Sequence, residues 1–331
     1  MPLVSIIMTT ASRPAALEET LRSLFTVRIP KEWPVELLLV ENGSRSGAEQ
    51  LLRSFPEGHF AAARYFFEPR PGKSRALNLA LAHASGDILL FTDDDIRFPS
   101  DWVGRMCEPI AAGRVDAVAG GVKLAPYLLR PWMNHTHRAW LASTADYLSS
   151  EKPSEMCGAN MAVSRRVFDQ VEGFDPELGP GVTCGGEETL FSWQLLQAGF
   201  RLAGALDIQV EHHPNPNRLQ YESWVRTARL KGQTHAYHLH HWFHRDMRYP
   251  ALGRLYFLAK LSLRRACSHR RKPGDEGIAP WELSYLTDLA KCTYFIRARR
   301  HPRKYTRNGL RKLKADNHHE KAGLSAVQVE T

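Results

Sequence analysis

The chain has 331 residues, 43% of them hydrophobic, which is enough for one large α/β core and a smaller appendage. It has no run of eighteen apolar residues, so the sequence predicts no transmembrane helix, and its first residues predict a strand rather than a signal peptide. Its five scattered cysteines, without a CxxC pair, indicate reduced thiols in a cytoplasmic protein and no zinc site.

The net charge of +9 is divided unevenly along the chain. Residues 1–214 hold 20 Lys and Arg against 26 Asp and Glu, whereas residues 215–331 hold 24 against 9. An acidic front half and a basic back half indicate two different roles. The basic half is suited to anionic lipid, nucleic acid or a phosphate-bearing acceptor, but the sequence has no nucleic-acid-binding motif, so nucleic acid is not the expected partner.

Strands and helices alternate through the first 125 residues. The predicted strands are residues 3–10, 35–40, 63–67, the apolar run that follows Asp87, and 117–119; the predicted helices begin at residue 14, cover 46–54, begin at residue 73, and cover 100–112. This alternation predicts βαβ units and a parallel sheet with right-handed crossovers.

The pattern is less regular after about residue 126. The predicted helices there are 131–148, 164–171, 187–196, 219–241, 250–268 and 280–300, and the predicted strands are 158–163 and 200–211. The basic and polar tail from about residue 302 is expected to be frayed and flexible.

The apolar run after Asp87 ends in three adjacent carboxylates, Asp93, Asp94 and Asp95. Such a run is typical of a buried parallel strand, and ligands bind at the carboxyl ends of strands in open α/β sheets. Three neighbouring carboxylates repel one another unless a cation compensates, and their hard oxygens suit Mg²⁺ or Mn²⁺ shared with substrate phosphates. The alternative is an acidic helix N-terminus, because residues 99–102 begin a helix, but one acid would satisfy that need.

Polar side chains also follow the neighbouring predicted strands. Thr9, Thr10 and Arg13 could bind a base and a phosphate, or could simply cap a loop. Residues 41–42 could bind a nucleobase or ribose, or form an ordinary Asn-Gly turn. Residues 73–75 begin a helix after a glycine, where backbone donors favour an anion; alternatively, they are solvated basic residues.

Two later groups could take part in catalysis. Glu187 and Glu188 begin a helix after a glycine-rich loop, so one of them could be a general base, or both could merely favour the helix dipole. His212 and His213 end a strand, where one could be a neutral metal ligand or a structural histidine.

The C-terminal half contains aromatic and basic stretches. Residues 132–147 have the spacing of a helix face, which favours core or acceptor-side packing over a cofactor site. Residues 224–244 combine aromatic and basic side chains. Residues 256–265 are amphipathic and basic at one end, which fits a helix lying on an anionic membrane and equally a packing helix with a solvated face.

Taken together, these features resemble an inverting glycosyltransferase of family 2, with the GT-A fold, over about residues 2–213. The likeness depends on the order and spacing of several motifs. They are Val4–Ile7, Val40–Ser44, Gly72–Asn78, Ala84–Asp87, Thr92–Asp95, Gly158–Met161, Gly173–Asp175 and Gly185–Glu188.

The resemblance implies roles for individual residues. The family's DxD motif matches Asp93–Asp95, which implies that Asp95 ligates a divalent metal (Mn²⁺ or Mg²⁺), with Asp93 and His212 beside it. Glu188 matches the catalytic base, with Glu187 as the other member of the pair. The expected nucleotide-sugar site consists of Thr9, Thr10, Arg13, Glu41, Asn42, Lys73, Arg75, Asn78, Asp93 and Asp94.

The sequence therefore predicts a metal-dependent inverting transferase that moves a sugar from a nucleotide-diphosphate sugar to a glycan or lipid-linked hydroxyl acceptor. The expected organisation is a GT-A domain over residues 1–213, a helical acceptor-side or membrane-docking region over 214–301, and a tail over 302–331. The protein is expected in the cytoplasm, with peripheral contact at the inner face of an anionic membrane. The alternatives are a nucleotidyltransferase of the same fold and a non-catalytic module whose basic half binds an anionic partner.

Overall fold

The computed structural model of the chain describes residues 1–268, 272 and 274–313. The strands are β1 (Val4–Thr10), β2 (Val35–Asn42), β3 (Ala62–Glu68), β4 (Ile88–Asp93), β5 (Ile96–Arg97), β6 (Ala117–Leu124), β7 (Met161–Ser164) and β8 (Leu202–His212). The helices are α1 (Pro14–Leu24), α2 (Ala48–Arg53), α3 (Lys73–His83), α4 (Trp102–Ala111), α5 (His135–Trp140), α6 (Glu187–Gln197), α7 (Tyr221–Tyr237), α8 (Pro250–Ala266) and α9 (Pro280–Ala298).

All eight strands form one sheet, in the spatial order β3-β2-β1-β4-β7-β6-β8-β5. Strands β1 to β4 pair in parallel, with Thr9 beside Asp93 and Thr10 beside Glu41. β1 and β2 are buried along their whole length, which explains their continuous apolar sequences. The predicted parallel βαβ core is confirmed, and it brings three polar strand ends to one edge of the sheet.

The sheet is mixed rather than wholly parallel, because β7 lies between β4 and β6 and is antiparallel to both. The short β5 is antiparallel to β8, whereas β6 and β8 are parallel. The chain leaves the sheet after β6 for a long excursion of irregular structure and short helices, and β7 enters as it returns. A strand that follows such an excursion can pair in either direction, so the local sequence pattern did not predict the antiparallel pairing of β7. The result is the predicted mainly parallel α/β sheet flanked by helices.

Asn160 joins three parts of the molecule just before β7. Its side-chain amide donates to the carbonyl oxygens of Gly121, at 2.8 Å, and Ile208, at 2.9 Å, and its oxygen accepts from the indole of Trp102 at 2.9 Å. A Cβ at Gly120 would lie 2.3 Å from this amide, so only glycine fits there. The register between β6 and β8 shifts at this point, and Asn160 binds the carbonyl groups that the shift leaves unpaired.

Two predicted helices are shorter than the sequence pattern indicated. Of residues 131–148, only α5 is α-helical, and a 3₁₀ turn follows at Thr144–Asp146. Asp146 accepts from Ser143 and Arg138, which favours a turn over continued helix. The predicted helix from Ser164 to Val171 is a 3₁₀ helix at Arg165–Asp169.

The C-terminal helices form a layer beside the sheet. α7 packs on α9, and α8 packs on the outer side of α9. Gly232 permits the close approach of α7 to α9, because a Cβ there would lie 2.3 Å from the carbonyl oxygen of Thr287. α7 continues into a π-helical turn at His238–Trp242. None of the helices in the described part of the chain is long and apolar enough to cross a membrane.

The first part of the predicted tail packs against the main body of the protein. Tyr305 is buried, and its hydroxyl donates to Asp175 at 2.8 Å. Lys312 donates to the same carboxylate at 2.7 Å, and the hydroxyl of Tyr237 on α7 is a further donor. Glu177 also pairs with Lys304 and Lys312, and the indole of Trp242 donates to the carbonyl oxygen of Gly309 at 2.9 Å, so residues 302–313 are held against the body by several contacts. The rest of the predicted tail, 314–331, lies outside the described residues.

Candidate active site

A cleft of about 930 Å³ opens at the carboxyl edge of the sheet, between the parallel strands, α6 and α7. It brings together most of the residues predicted from the strand ends and helix starts. The predicted residues that line it are Thr9, Thr10, Arg13, Asn42, Lys73, Asp93, Asp95, Glu187, Glu188 and His212. Its size fits a nucleotide-sized ligand together with a second substrate.

The three aspartates have different surroundings. β4 ends at Asp93, and a turn carries Asp94 and Asp95 into β5. Arg13 donates to both Asp94 and Asp95, reaching Asp95 at 2.7 Å, and Thr10 donates to Asp94 at 2.5 Å. Asp94 is fully buried beneath the cleft wall, where it orients Arg13 rather than lining the cleft.

Burial and neighbouring charges move the pKa values of Asp94 and Asp95 in opposite directions. Burial raises the pKa of Asp94 to about 6, although Arg13 opposes this shift. Burial also acts to raise the pKa of Asp95, but the contacts with His212 and Arg13 outweigh it and lower that pKa. As the pH falls, Asp94 is therefore the first of the two to take up a proton, and Asp95 stays ionised to lower pH.

His212 faces Asp95 with a ring nitrogen free to act as a ligand. Its Nδ1 lies 2.8 Å from the carbonyl oxygen of Leu141, which can only accept, so Nδ1 carries the proton. Nε2 then lies 3.4 Å from Oδ1 of Asp95, a buried oxygen that has no hydrogen-bond partner among the described residues. His213 points elsewhere, because its ring pairs with Glu211 at 2.8 Å.

This arrangement fits a divalent cation that is completed by a substrate. In the described part of the chain, no three His, Cys, Asp or Glu side chains are grouped as a metal site. Asp95 and His212 supply one free oxygen and one free nitrogen, whereas Asp93 is bound to Lys73. Mg²⁺ is often held by one or two carboxylates with substrate phosphates and water, so this small ligand set is sufficient.

Lys73 connects the aspartates with the glutamate pair. It begins α3, and its ammonium donates to Asp93. Its pKa is raised: burial opposes the charged form, but Asp93, Glu187 and Glu188 together favour it more strongly. A single ammonium therefore interacts with both acidic groups that line the cleft.

Glu187 and Glu188 are the first two residues of α6, and the backbone conformation of the glycine before them permits the helix to begin there. Gly186 has a φ of +96°, and a Cβ there would lie 2.4 Å from Cγ2 of Thr234. Burial and the charge of Glu188 raise the pKa of Glu187 well above its usual range. Glu187 is 2% exposed, whereas Glu188 is only partly buried. Within the part of the chain that the structure describes, each of the two carboxyl groups keeps one buried oxygen without a hydrogen-bond partner.

The remaining predicted site residues have structural contacts. The carboxylate of Glu41 accepts from the backbone of Ser46 at 2.5 Å and from the hydroxyl of Tyr65 at 2.6 Å, and these bonds outweigh burial and lower its pKa. Asn78 is bonded to the backbone of Phe174 through both its amide atoms, at 2.7 and 3.0 Å. Glu41, Arg75 and Asn78 are not among the residues that line the cleft.

Asn42 lines the cleft and also shapes it. Its amide donates to the carbonyl oxygens of Glu68, at 3.0 Å, and Arg70, at 2.8 Å, and its oxygen accepts from the backbone of Gly72 at 2.8 Å. It therefore fixes the loop that leads into α3, and with it the position of Lys73.

Other cleft residues were not predicted as site residues. Arg218 follows β8, and Arg226, Lys231, His235 and His238 lie on one side of α7 and of the turn after it. The spacing of the basic residues in 224–244 was visible in the sequence and could have indicated this face. Arg218 had no comparable signal, because only the fold brings it to the cleft.

Comparisons with known proteins agree with this fold. The model of the family described as glycosyl transferase family 2 matches residues 5–172, about half of the chain. The succinoglycan biosynthesis protein ExoM of Rhizobium meliloti is 29% identical over 227 residues, which cover 66% of this chain and 70% of ExoM.

Two solved structures have similar folds. The mannosyltransferase PcManGT from Pyrobaculum calidifontis, in complex with GDP-Man and Mn²⁺, has a TM-score of 0.55 at 21% identity, with 90% of this chain and 86% of that one covered. The structure of GalNAc-T7 with UDP, GalNAc and Mn²⁺ has a TM-score of 0.52 at 15% identity, with 81% and 53% covered. These similarities confirm the GT-A fold predicted from the sequence.

Proposed function

This chain belongs to glycosyltransferase family 2, and we propose that it is a metal-dependent, inverting enzyme that moves a sugar from a nucleotide diphosphate to a hydroxyl of a glycan or lipid-linked acceptor. One observation carries the proposal: Asp93 and Asp95 share a single cleft with Glu187 and Glu188, and Lys73 interacts with both acidic groups. The names of ExoM and PcManGT, a polysaccharide-biosynthesis protein and a mannosyltransferase, support the same class of reaction.

The donor half of the cleft lies at the ends of β1, β2 and β4. Thr9, Thr10 and Arg13 line this half, and Asn42 holds the adjoining loop in place. Lys73 begins α3, where its ammonium and the helix N-terminus both attract an anion. We assign this side to the nucleotide diphosphate.

Asp95 and His212 would hold the divalent cation, with Asp93 beside them. When bound, the cation would act as a Lewis acid that neutralises the charge of the leaving diphosphate. The contacts with His212 and Arg13 lower the pKa of Asp95, and the carbonyl oxygen of Leu141 fixes the orientation of the His212 ring through Nδ1. Oδ1 of Asp95 and Nε2 of His212 thereby lie 3.4 Å apart, where both could contact one cation.

The catalytic base is Glu188. Burial and the neighbouring carboxyl group raise the pKa of Glu187, whereas Glu188 is less buried and lines the cleft, which supports Glu188 as the base. Glu188 then removes the proton from the acceptor hydroxyl as the hydroxyl oxygen attacks the anomeric carbon. Attack from the side opposite the leaving diphosphate inverts the configuration, and holding the two substrates in line lowers the barrier further.

The acceptor side is formed by α6, α7 and the loop before α6. Arg226 and Lys231 of α7 line this side, which suits an acceptor that carries phosphate or acidic sugars.

The loop 179–186, with its exposed residues Gly181 and Val182, is placed to close over the donor and exclude water.

A panel of nucleoside diphosphates tests the proposal. UDP, GDP, dTDP and CDP are each added with and without Mn²⁺, and the melting temperature is measured. A ligand that binds only the folded state raises this temperature by mass action. Stabilisation by one nucleotide, and only with Mn²⁺, is expected; no response to any of the four would contradict a nucleotide-sugar site.

The two alternatives predict other results. A nucleotidyltransferase would use a nucleoside triphosphate and release pyrophosphate, and it has no need of a base such as Glu188. A non-catalytic module would keep its affinity for an anionic partner when Asp95 is replaced by Asn, because that partner binds the basic half. Membership of glycosyltransferase family 2 favours the transferase.

A further inference from the structure

The outward face of helix α8 is apolar, and no residue in the described part of the chain covers it. The helix packs on α9 through one narrow stripe, in which Pro250 and Leu261 are buried. Leu252, Leu255 and Leu263 are 62%, 61% and 71% exposed. With about 3.6 residues per turn, these three leucines lie on the side opposite the buried stripe. A row of exposed leucines along one helix marks an interaction surface, unlike a single exposed leucine.

The same helix carries several exposed basic side chains. By the helical period, Lys260 lies nearest the leucine face, whereas Arg254 and Arg264 lie farther round the helix, towards the side that packs on α9. The ammonium of Lys260 lies 4.6 Å from the ring centre of Tyr256, and the guanidinium of Arg264 lies 4.5 Å from that of Trp281. Residues 247–266 contain no Asp or Glu. The cations of α8 therefore have no acid on their own helix.

We propose that the leucine face of α8 docks on an anionic membrane surface, with the helix lying in the plane of the interface. Leucines would enter the boundary between headgroups and acyl chains, while the long basic side chains reach the lipid phosphates. Tyr249 and Tyr256, 61% and 52% exposed, are amphipathic rings of the kind enriched at this depth.

Charge distinguishes this partner from a second copy of the chain. Two copies of the face would bring two basic helices together, which is repulsive, whereas an anionic bilayer is complementary both to the charge of the helix and to the leucines. A nucleic acid would match the charge but not the three exposed leucines, which offer no stacking surface. The inference does not depend on the transferase reaction.

Vesicle co-sedimentation of the full chain tests the docking. Vesicles of phosphatidylcholine with phosphatidylglycerol are compared with vesicles of phosphatidylcholine alone, and the expected affinity is at least about tenfold higher for the anionic ones. The double variant L252E/L263E should lose binding by at least about tenfold. The matched control L129E/L196E places the same charges at exposed leucines elsewhere and should bind within about twofold of the wild type.

Charge variants test whether the basic side chains of α8 contribute to vesicle binding. K260Q/R264Q should weaken binding to the anionic vesicles by about fivefold for each charge removed, whereas R22Q/R53Q, at exposed arginines of α1 and α2, should have little effect. The proposal would be overturned if L252E/L263E bound both kinds of vesicle as tightly as the wild type does, or if the wild type bound neither. A wild-type dimer in lipid-free solution that L252E/L263E dissociates would also overturn it, since a second copy would then cover the face.

Discussion

Lys73 at the start of α3 donates to Asp93 at the end of β4, and this pair lies next to the buried Glu187. The ammonium lies within one cleft among carboxyl groups that come from two distant parts of the chain. Removing it would leave Asp93 as a largely enclosed charge without its cation, which is costlier than removing both partners.

The variant K73M tests this relationship. Without ligand, we expect its free energy of unfolding in urea to fall by about 3 kcal/mol, because Asp93 loses its partner. The double variant K73M/D93N should recover most of that loss, since the charge that needed compensation is gone. A double variant no more stable than K73M would contradict the account of the pair.

The glutamate pair makes a second prediction. E188Q should bind the nucleotide donor as tightly as the wild type but transfer sugar about 10²–10⁴-fold more slowly, because the acceptor hydroxyl loses its base. E187Q is the matched control: glutamine resembles a protonated glutamate, so turnover should stay within about tenfold of the wild type. Donor affinity by calorimetry and turnover by nucleotide release separate the two effects. The opposite ranking of these variants would assign the base role to Glu187.

Asn160 makes a third prediction, about stability rather than chemistry. N160A leaves the indole of Trp102 and two carbonyl oxygens, of Gly121 and Ile208, without their buried partner. The expected loss is about 3 kcal/mol in the free energy of unfolding. The control N217A changes an exposed asparagine and should lie within about 0.5 kcal/mol of the wild type. Equal stabilities of the two variants would show that Asn160 does not join the strands.

Buried histidines predict acid sensitivity. Burial lowers the pKa of both His238 and His241 to about 3, and each is 4% exposed. The unfolded chain therefore binds more protons between about pH 6.5 and pH 3, so the free energy of unfolding falls as the pH falls through this window. Each histidine contributes up to about 1.4 kcal/mol per pH unit.

The variant H241L should take up about one proton fewer on unfolding, because leucine cannot take up a proton in either state. Its free energy of unfolding should therefore depend less steeply on pH than that of the wild type. Urea unfolding at several pH values between about 4 and 7 measures it. H83L, the same change at an exposed position, is the control. Equal slopes in the two variants would mean that His241 is not the group that resists protonation.

Much of the fold followed from the sequence because its signals are local. The apolar strands β1, β2 and β4, the helix start at Lys73, and the carboxylates after β4 each occupy a short stretch with its own pattern. Parallel pairing then brings their ends to one edge, which is why so many predicted residues share the cleft.

What the sequence did not predict depends on contacts between distant residues. β7 is inserted antiparallel between its neighbours, but the sequence pattern of Met161–Ser164 would be the same for a parallel strand. Asn78 bonds to Phe174, and Glu41 bonds to Ser46 and Tyr65. A sequence motif would assign both of these side chains to a ligand instead. A polar residue in a motif can therefore serve the fold around the site.

The most direct test of the central claim is the calorimetric affinity for the nucleoside diphosphate selected by the thermal panel, measured with and without Mn²⁺. In the wild type, Mn²⁺ should strengthen binding by at least about tenfold, which corresponds to about 1.4 kcal/mol. In D95N this gain should disappear, whereas the control D207N, at an exposed aspartate, should keep it. A gain of equal size in D95N and the wild type would contradict the assignment of this cleft as a metal-dependent nucleotide-sugar site.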